Sequence, residues 1–346
     1  MSLDSEAIQD ILWWEEHVRT ECTQLRKPPP SVFITSDSSK YMWGALRGTH
    51  TTGGFWDLTE QNFHINALEM KAVLLGLFSL CNNCYNSHIR IKTDSKTCMY
   101  YINARGGIRS IECNKIAIQI WEWALDRNNF LSAEHIPGKE NVEADYLSRN
   151  QYDLGEWSLS TMTYHKIINH FNIIPSIDLF ASRHNFKCTR YVAWQPDPYC
   201  LFVDTFAHLL EKDETFYAFP PFNLLIKFMS KVATEQLTGL VVVPCWSSQG
   251  FFPLMLDLLI DIPAKIKFSK SLLSHPFRDT HPMGHRLHLI ACCISGKRVN
   301  QKAFQKRLQT FCKAAGEHHP SNNIRLTLKN GKFFVNHNIS IQLPVL

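Results

Sequence analysis

Ser31-Val32-Phe33-Ile34-Thr35-Ser36-Asp37-Ser38-Ser39 is the stretch that decides how this chain folds and where its chemistry sits. An apolar run of strand length, ending in a carboxylate among small hydroxyl side chains, reads as a buried strand with an acid at its carboxyl end. A second such run, Ile89-Arg90-Ile91-Lys92-Thr93, ends in Asp94 and Ser95. Between them, residues 43–47 and 54–57 read as strands joined by a Thr51-Thr52-Gly53-Gly54 turn, so the first three strands form an antiparallel meander. A helix over 66–80 follows, with Asn66 as its N-cap and Glu69 near its start. The order continues as a strand over 88–93, a helix over 95–103, a Gly106-Gly107 turn and a helix over 113–126. A strand over 130–135 and a helix over 141–149 complete the unit. A meander followed by βαβ elements predicts an α/β unit, a mixed five-stranded sheet with flanking helices, over residues 30–150.

Four acids stand out in this stretch: Asp37, Glu69, Asp94 and Asp145. Each alone has a plain reading, since a strand-end Asp is commonly a cap or turn residue and a helical Glu a surface charge. Taken in order they are two strand-end acids, one acid on a covering helix and one on a late helix. Carboxylates converging from such positions repel unless cations neutralise them, which is the layout of a two-metal phosphodiesterase site. Small neighbours (Ser36, Ser38, Ser39, Thr93, Ser95) leave room for metal and phosphate.

The wording around these acids resembles an RNase H domain over about 30–150. The carriers are Thr35-Ser36-Asp37-Ser38-Ser39 with Trp43-Gly44-Ala45, then His64-Ile65-Asn66-Ala67-Leu68-Glu69-Met70-Lys71-Ala72, and Thr93-Asp94-Ser95. The last is His135-Ile136-Pro137-Gly138-Lys139-Glu140-Asn141-Val142-Glu143-Ala144-Asp145. More narrowly, Ile102-Asn103, Gly106-Gly107-Ile108-Arg109-Ser110, Ile120-Trp121-Glu122-Trp123, Leu147-Ser148-Arg149 and Asp178-Leu179-Phe180-Ala181-Ser182-Arg183 resemble DIRS-type retrotransposon polyproteins, which use a tyrosine recombinase. The resemblance implies that Asp37, Glu69, Asp94 and Asp145 hold two Mg²⁺ ions, with Mn²⁺ as an alternative, and that Asp37 bridges them. One metal would activate water and the other would stabilise the departing 3′ oxygen. His135 would assist proton transfer or product release. The implied substrate is the RNA strand of an RNA/DNA hybrid, marked by its 2′-hydroxyls. Asn66, Asn103, Arg105 and Arg109 are the candidate nucleic-acid contacts, each equally readable as a surface or turn residue. A reverse transcriptase or recombinase of the same element is the implied protein partner. Trp121 and Trp123 read as core rather than as stacking platforms.

The second half alternates differently. Apolar runs at 177–181, 191–194, 216–219, 239–244 and 264–268 are separated by helix-like segments at 204–210, 224–236 and 251–259, which predicts a second, Rossmann-like α/β unit with a parallel sheet over 174–295. Asp178-Leu179-Phe180-Ala181-Ser182 and Phe219-Pro220-Pro221-Phe222 resemble a DNA N6-adenine methyltransferase region. Such enzymes place Asp or Asn ahead of Pro-Pro-aromatic to accept from the target amine. Phe219 stands at that position with no acceptor, and no glycine-rich loop follows Asp178, so the resemblance implies a degenerate domain. Residues 1–29 read as an amphipathic helix, bearing Ile8, Ile11, Leu12, Trp14 and Val18, and a Lys27-Pro28-Pro29-Pro30 linker. Residues 151–173 read as linker and helix, and 296–346 as a basic helix and a hairpin turning at Asn330-Gly331.

Composition bounds the rest. With 346 residues, 45% hydrophobic and 19% charged, the chain is long and apolar enough for two folded domains and is not a disordered protein. Residues 1–150 carry 15 Lys and Arg against 18 Asp and Glu, and residues 151–346 carry 21 against 13. The surplus of positive charge suits a nucleic-acid partner. No apolar run is long enough to span a membrane, and the acidic N-terminus is no signal peptide. The eleven scattered cysteines then read as reduced thiols of a cytoplasmic or nuclear protein. Cys81 and Cys84 read as a helix end, and His275, His281, His285 and His288 as a surface loop rather than a metal site. The leading expectation is a Mg²⁺-dependent endoribonuclease. The alternatives are a non-catalytic nucleic-acid-binding protein derived from a transposon and an adenine methyltransferase.

Overall fold

The structure is a computed structural model and describes residues 3, 5–20, 28–150, 157–211, 213–275, 281–314, 333–336 and 339–346. Helix α1 (Ser5–His17) carries the expected apolar residues, but Ile8, Ile11, Leu12 and Trp14 are exposed. The first unit then builds β1 (Val32–Ser38), β2 (Met42–Arg47), β3 (His50–Phe55), a 3-10 turn (Glu60–Asn62), α2 (Ile65–Leu80) and β4 (His88–Thr93). It continues with α3 (Lys96–Asn103), α4 (Ile111–Leu125), β5 (Phe130–His135) and α5 (Val142–Arg149). The sheet order is β3-β2-β1-β4-β5, antiparallel through the meander and parallel from β1 to β4 and β5. The mixed five-stranded sheet expected for 30–150 is therefore present.

Burial explains these elements. Helix α2 is buried almost without interruption from Ala67 to Leu77, because it lies between the sheet and α4. Each such apolar side chain taken from water contributes roughly 1.5–3 kcal/mol. Trp121 and Trp123 belong to this core, as expected. Two local readings are corrected. Thr51, Thr52, Gly53 and Gly54 lie within β3, and the turn falls at Gly48, whose φ of 57° accommodates the reversal. The N-cap of α2 is His64, whose Nδ1 accepts from the Asn66 backbone N–H at 3.2 Å, so Asn66 lies inside the first turn.

Close approach of α5 to the sheet depends on Gly44. A β-carbon there would lie 2.5 Å from the Leu147 β-carbon and 2.9 Å from the Ser148 nitrogen. Without that gap, α5 could not sit against β1 and β2.

The second unit comprises β6 (Ser158–Leu159), α6 (Thr161–Phe171), β7 (Ile177–Asp178), β8 (Val192–Ala193), β9 (Phe202–Val203), β10 (Thr215–Ala218), α7 (Leu225–Glu235) and β11 (Thr238–Pro244). After these come α8 (Phe251–Leu258), β12 (Ala264–Lys265), β13 (Leu273–Ser274), β14 (Leu289–Ser295), α9 (Arg298–Ala314), β15 (Phe333–Asn336) and β16 (Ile339–Gln342). Its main sheet runs β12-β14-β11-β10-β7. The expected all-parallel arrangement holds for β7, β10 and β11, but β14 runs antiparallel between β11 and β12. Residues 204–210 form turns rather than a helix. The segments set apart as linker and tail are integral to this unit. Tyr164, Ile167 and Phe171 of α6 pack with Tyr217 and Leu240, and Phe304 and Leu308 of α9 pack with the β11 and β14 side chains. Their apolar faces require that burial. The hairpin is present as β15 and β16, while its Asn330-Gly331 turn lies outside the described residues. No helix among the described residues is long and apolar enough to cross a membrane.

Candidate active site

Strand register brings the first two acids together. β1 pairs with β4 from Val32 opposite Ile89 to Thr35 opposite Lys92, and two residues further along each strand stand Asp37 and Asp94. Parallel strands end at the same edge, so both carboxyls emerge at one rim. Glu69, in the second turn of α2, descends onto it. One carboxylate oxygen each from Asp37, Glu69 and Asp94 lies within 4.8 Å of the others, the sole such group of potential metal ligands among the described residues. His275, His281, His285 and His288 are not part of that group. His281 accepts from the Met283 backbone N–H, and the Trp157 ring contacts both His275 and His281, at 4.9 and 4.8 Å between ring centroids.

Asp37 is held from the far side by α5. Ser148 Oγ donates to Asp37 Oδ2 at 2.5 Å, and Asn141 Nδ2 donates to Oδ1 at 3.2 Å. Ser39 Oγ in turn donates to the Ser148 carbonyl at 2.7 Å, tying β1 to the end of α5. Ser148 and Asn141 were not assigned roles from sequence. Both lay inside stretches singled out there, but nothing in their spacing reveals that α5 packs over Asp37.

The electrostatics are unfavourable for bare carboxylates. Burial pushes the Glu69 carboxyl up to about 8, with Asp37 and Asp94 adding repulsion and hydrogen bonding from Ser38 offsetting only part of it. Burial likewise raises Asp37 to about 6, opposed by the Ser148 hydrogen bond and reinforced by Asp94 and Asp145. Glu69 Oε2 is buried with no hydrogen-bond partner, as are Ser36 Oγ and Asn141 Oδ1. A buried carboxylate oxygen without a partner costs on the order of 1–3 kcal/mol or more. A hard divalent cation with oxygen ligands would satisfy it, so the donor set fits Mg²⁺ or Mn²⁺.

The other expected residues divide. His135 ends β5 opposite Thr93, one residue from Asp94 along the neighbouring strand. Gly138 in the following loop approaches Asp94, since a β-carbon there would lie 3.4 Å from Oδ2. Asp145 adds to the field at Asp37, yet its Oδ1 accepts from Arg149 Nε at 2.6 Å and it falls outside the three-carboxylate group. Asn103 is committed to the scaffold, donating to the Ala133 carbonyl at 2.9 Å and accepting from its N–H at 2.8 Å. Arg105, at φ 61°, lays its guanidinium 4.8 Å from the Trp121 ring centroid. Arg109 is exposed and Asn66 half-buried.

Residues 52–151 match the family described as reverse transcriptase-like. That span takes in Glu69, Asp94 and Asp145 and stops short of Asp37. The chain is 27% identical over 133 residues to the enzymatic polyprotein of Carnation etched ring virus, covering 36% of this chain and 20% of that polyprotein's length. Among solved structures, RNase H1 from the halophilic archaeon Halobacterium salinarum NRC-1 is 16% identical, covering 34% of this chain and 92% of that one, with a TM-score of 0.29. LC11-RNase H1, solved with an RNA/DNA hybrid, is 15% identical over 34% of this chain and 93% of its own, with a TM-score of 0.30. The foamy viral protease-reverse transcriptase, also solved with an RNA/DNA hybrid, is 14% identical over 42% of this chain and 26% of its own, with a TM-score of 0.28.

Proposed function

We propose that the first unit is an RNase H-type endonuclease that cleaves the RNA strand of RNA/DNA hybrids with two Mg²⁺ ions, within a protein of retrotransposon origin. One observation carries this reading: Asp37, Glu69 and Asp94 converge at one sheet rim, with a buried Glu69 oxygen that has no partner. Bound divalent cations would supply charge neutralisation and a water of lowered pKa. Asp37, Glu69 and Asp94 would hold them, with Asp145, now paired with Arg149, as the fourth carboxylate available. Ser148 and Asn141 keep Asp37 oriented. His135, at the same rim, holds or moves a proton at the leaving oxygen. Arg109, exposed, and Asn66, half-buried at the start of α2, would be available to the hybrid backbone.

The second unit is proposed as a degenerate methyltransferase-like domain of a DIRS-type element, with nucleic-acid binding as its role. Support comes from Phe219-Pro220-Pro221-Phe222 directly after β10, where the Phe222 and Trp246 rings meet edge to face at 5.1 Å. Half-buried aromatics at the carboxyl rim of parallel strands suit a stacked base.

The deciding assay incubates the purified chain with labelled RNA/DNA hybrid and Mg²⁺ beside Asp94→Asn. Cleavage by the parent and its loss in the variant are expected. A parent chain that leaves the hybrid intact sinks the nuclease reading. Methyl transfer to DNA from S-adenosylmethionine would overturn the account of the second unit.

A further inference from the structure

Asp178-Leu179-Phe180-Ala181-Ser182-Arg183 ends in a side chain that leaves its own unit. Arg183 Nη2 donates to Glu60 Oε2 at 2.5 Å and to the Phe55 carbonyl at 2.9 Å, while Nη1 donates to Glu60 Oε1 at 3.3 Å. Both side chains are buried, 8% and 9% exposed. Around this pair, Thr52 Oγ1 donates to the Pro196 carbonyl at 2.6 Å, and the Phe78 and Tyr199 rings meet edge to face at 5.9 Å. The second unit's side of the contact is itself braced. Asp197 accepts from the Arg183 backbone N–H at 2.9 Å, from the Tyr199 N–H and from the Tyr191 hydroxyl.

Glu60 leads onward to the carboxylate site. Its Oε2 also accepts from the Asp57 N–H at 3.0 Å, and its Oε1 lies 4.0 Å from Lys71 Nζ. Lys71 sits on α2 two residues beyond Glu69. Arg183, Glu60 and Lys71 thus form a chain of alternating charge from the second unit to the helix that carries Glu69. A buried pair of this kind is far costlier to break by removing one partner than a surface pair, because the survivor stays desolvated.

We infer that residues 183–199 are a docking arm by which the second unit fixes the α2 end of the first, with Arg183 a positioning residue for Glu69. Divalent-cation affinity at Asp37, Glu69 and Asp94 therefore depends on a residue of the other unit. The docking stands on its own contacts, whereas the effect on cation affinity rests on the carboxylate reading above.

The test uses the full chain, with Arg183→Met, Glu60→Gln, their double variant and Arg183→Lys. Thermal unfolding reads docking, and Mn²⁺ titration by calorimetry reads the site. The parent unfolds in one transition, and Arg183→Met splits it into two and weakens Mn²⁺ binding by roughly 2- to 30-fold. Arg183→Lys restores part of both effects, and the double variant costs less than the two single changes combined. Should Arg183→Met fail to fold, Thr52→Val gives the same signs at smaller size. A single transition with parental Mn²⁺ affinity in Arg183→Met, or in Thr52→Val if that stands in for it, overturns the inference. A parent that ignores Mn²⁺ sinks the carboxylate reading and with it the effect on affinity. The docking is still decided by the unfolding traces, which need neither metal nor substrate.

Discussion

The two units each end parallel strands in an aspartate, and the two aspartates live differently. Asp178, at the end of β7, is buried with both oxygens accepting backbone N–H groups, Oδ1 from Phe180 and Oδ2 from Lys187. It closes a loop on itself. Asp37, at the end of β1, shares its rim with two further carboxylates, one with an oxygen that nothing satisfies. A strand-end acid whose oxygens are met by its own loop is scaffold, while a cluster left in deficit is a candidate cation site. The second unit's unpaired buried atoms include the Tyr217 hydroxyl, but no set of potential metal ligands gathers there among the described residues.

Asp94→Asn is expected to break the contrast most strongly. Losing a ligand should cost hybrid cleavage more than the roughly 10–100-fold typical of an outer-shell partner. Gel assays of hybrid cleavage check it, and an active variant would mean the wrong cluster has been chosen.

Acid–base linkage gives the next effect. Glu69 titrates near 8 in the metal-free fold against 4.5 in an unfolded chain, so the folded state retains a proton that the unfolded state has shed. Stability contributed by that proton is complete below about pH 4.5 and is lost as pH rises toward 8. Denaturant melts should fall by a few kcal/mol across that window. Added Mg²⁺, which favours the ionised form, should flatten the slope, and so should Glu69→Gln. A melt independent of pH without metal would refute the deficit at the rim.

Ser148→Ala removes the 2.5 Å donor to Asp37 and should cost about 10–100-fold in cation affinity or cleavage, with the Asp37 carboxyl moving above 6. Asp37 chemical shifts against pH would detect this. Smallest is Tyr217→Phe, which deletes an unpaired buried hydroxyl. It should stabilise the chain by about 1 kcal/mol in denaturant melts and leave cleavage unchanged.

Much of the first unit was legible because its signals are local. A strand-end acid, an amphipathic or buried helix and a histidine loop each declare themselves within a dozen residues. The limits were local too, as when His64 rather than Asn66 took the cap. The second unit hid one of its inner strands. Leu289–Ser295 is buried throughout, and a continuous apolar run carries no period to separate strand from helix. Its antiparallel placement between β11 and β12 is a long-range choice, written in no single stretch. The Ser148–Asp37 bond, across 111 positions, was invisible for the same reason.

Gly44 offers an experimental handle on all of this. Because a single added methyl at that position meets the backbone of α5 at 2.9 Å, Gly44→Ala acts as a wedge driven between helix and sheet. It would lift Ser148, Asn141 and Asp145 together, without altering any acid. Because the clash is with the helix backbone and not with the tip of a flexible side chain, α5 must move off the sheet to make room. One methyl group would therefore separate the acids of the rim from the helix that braces them, with every carboxylate left in the sequence.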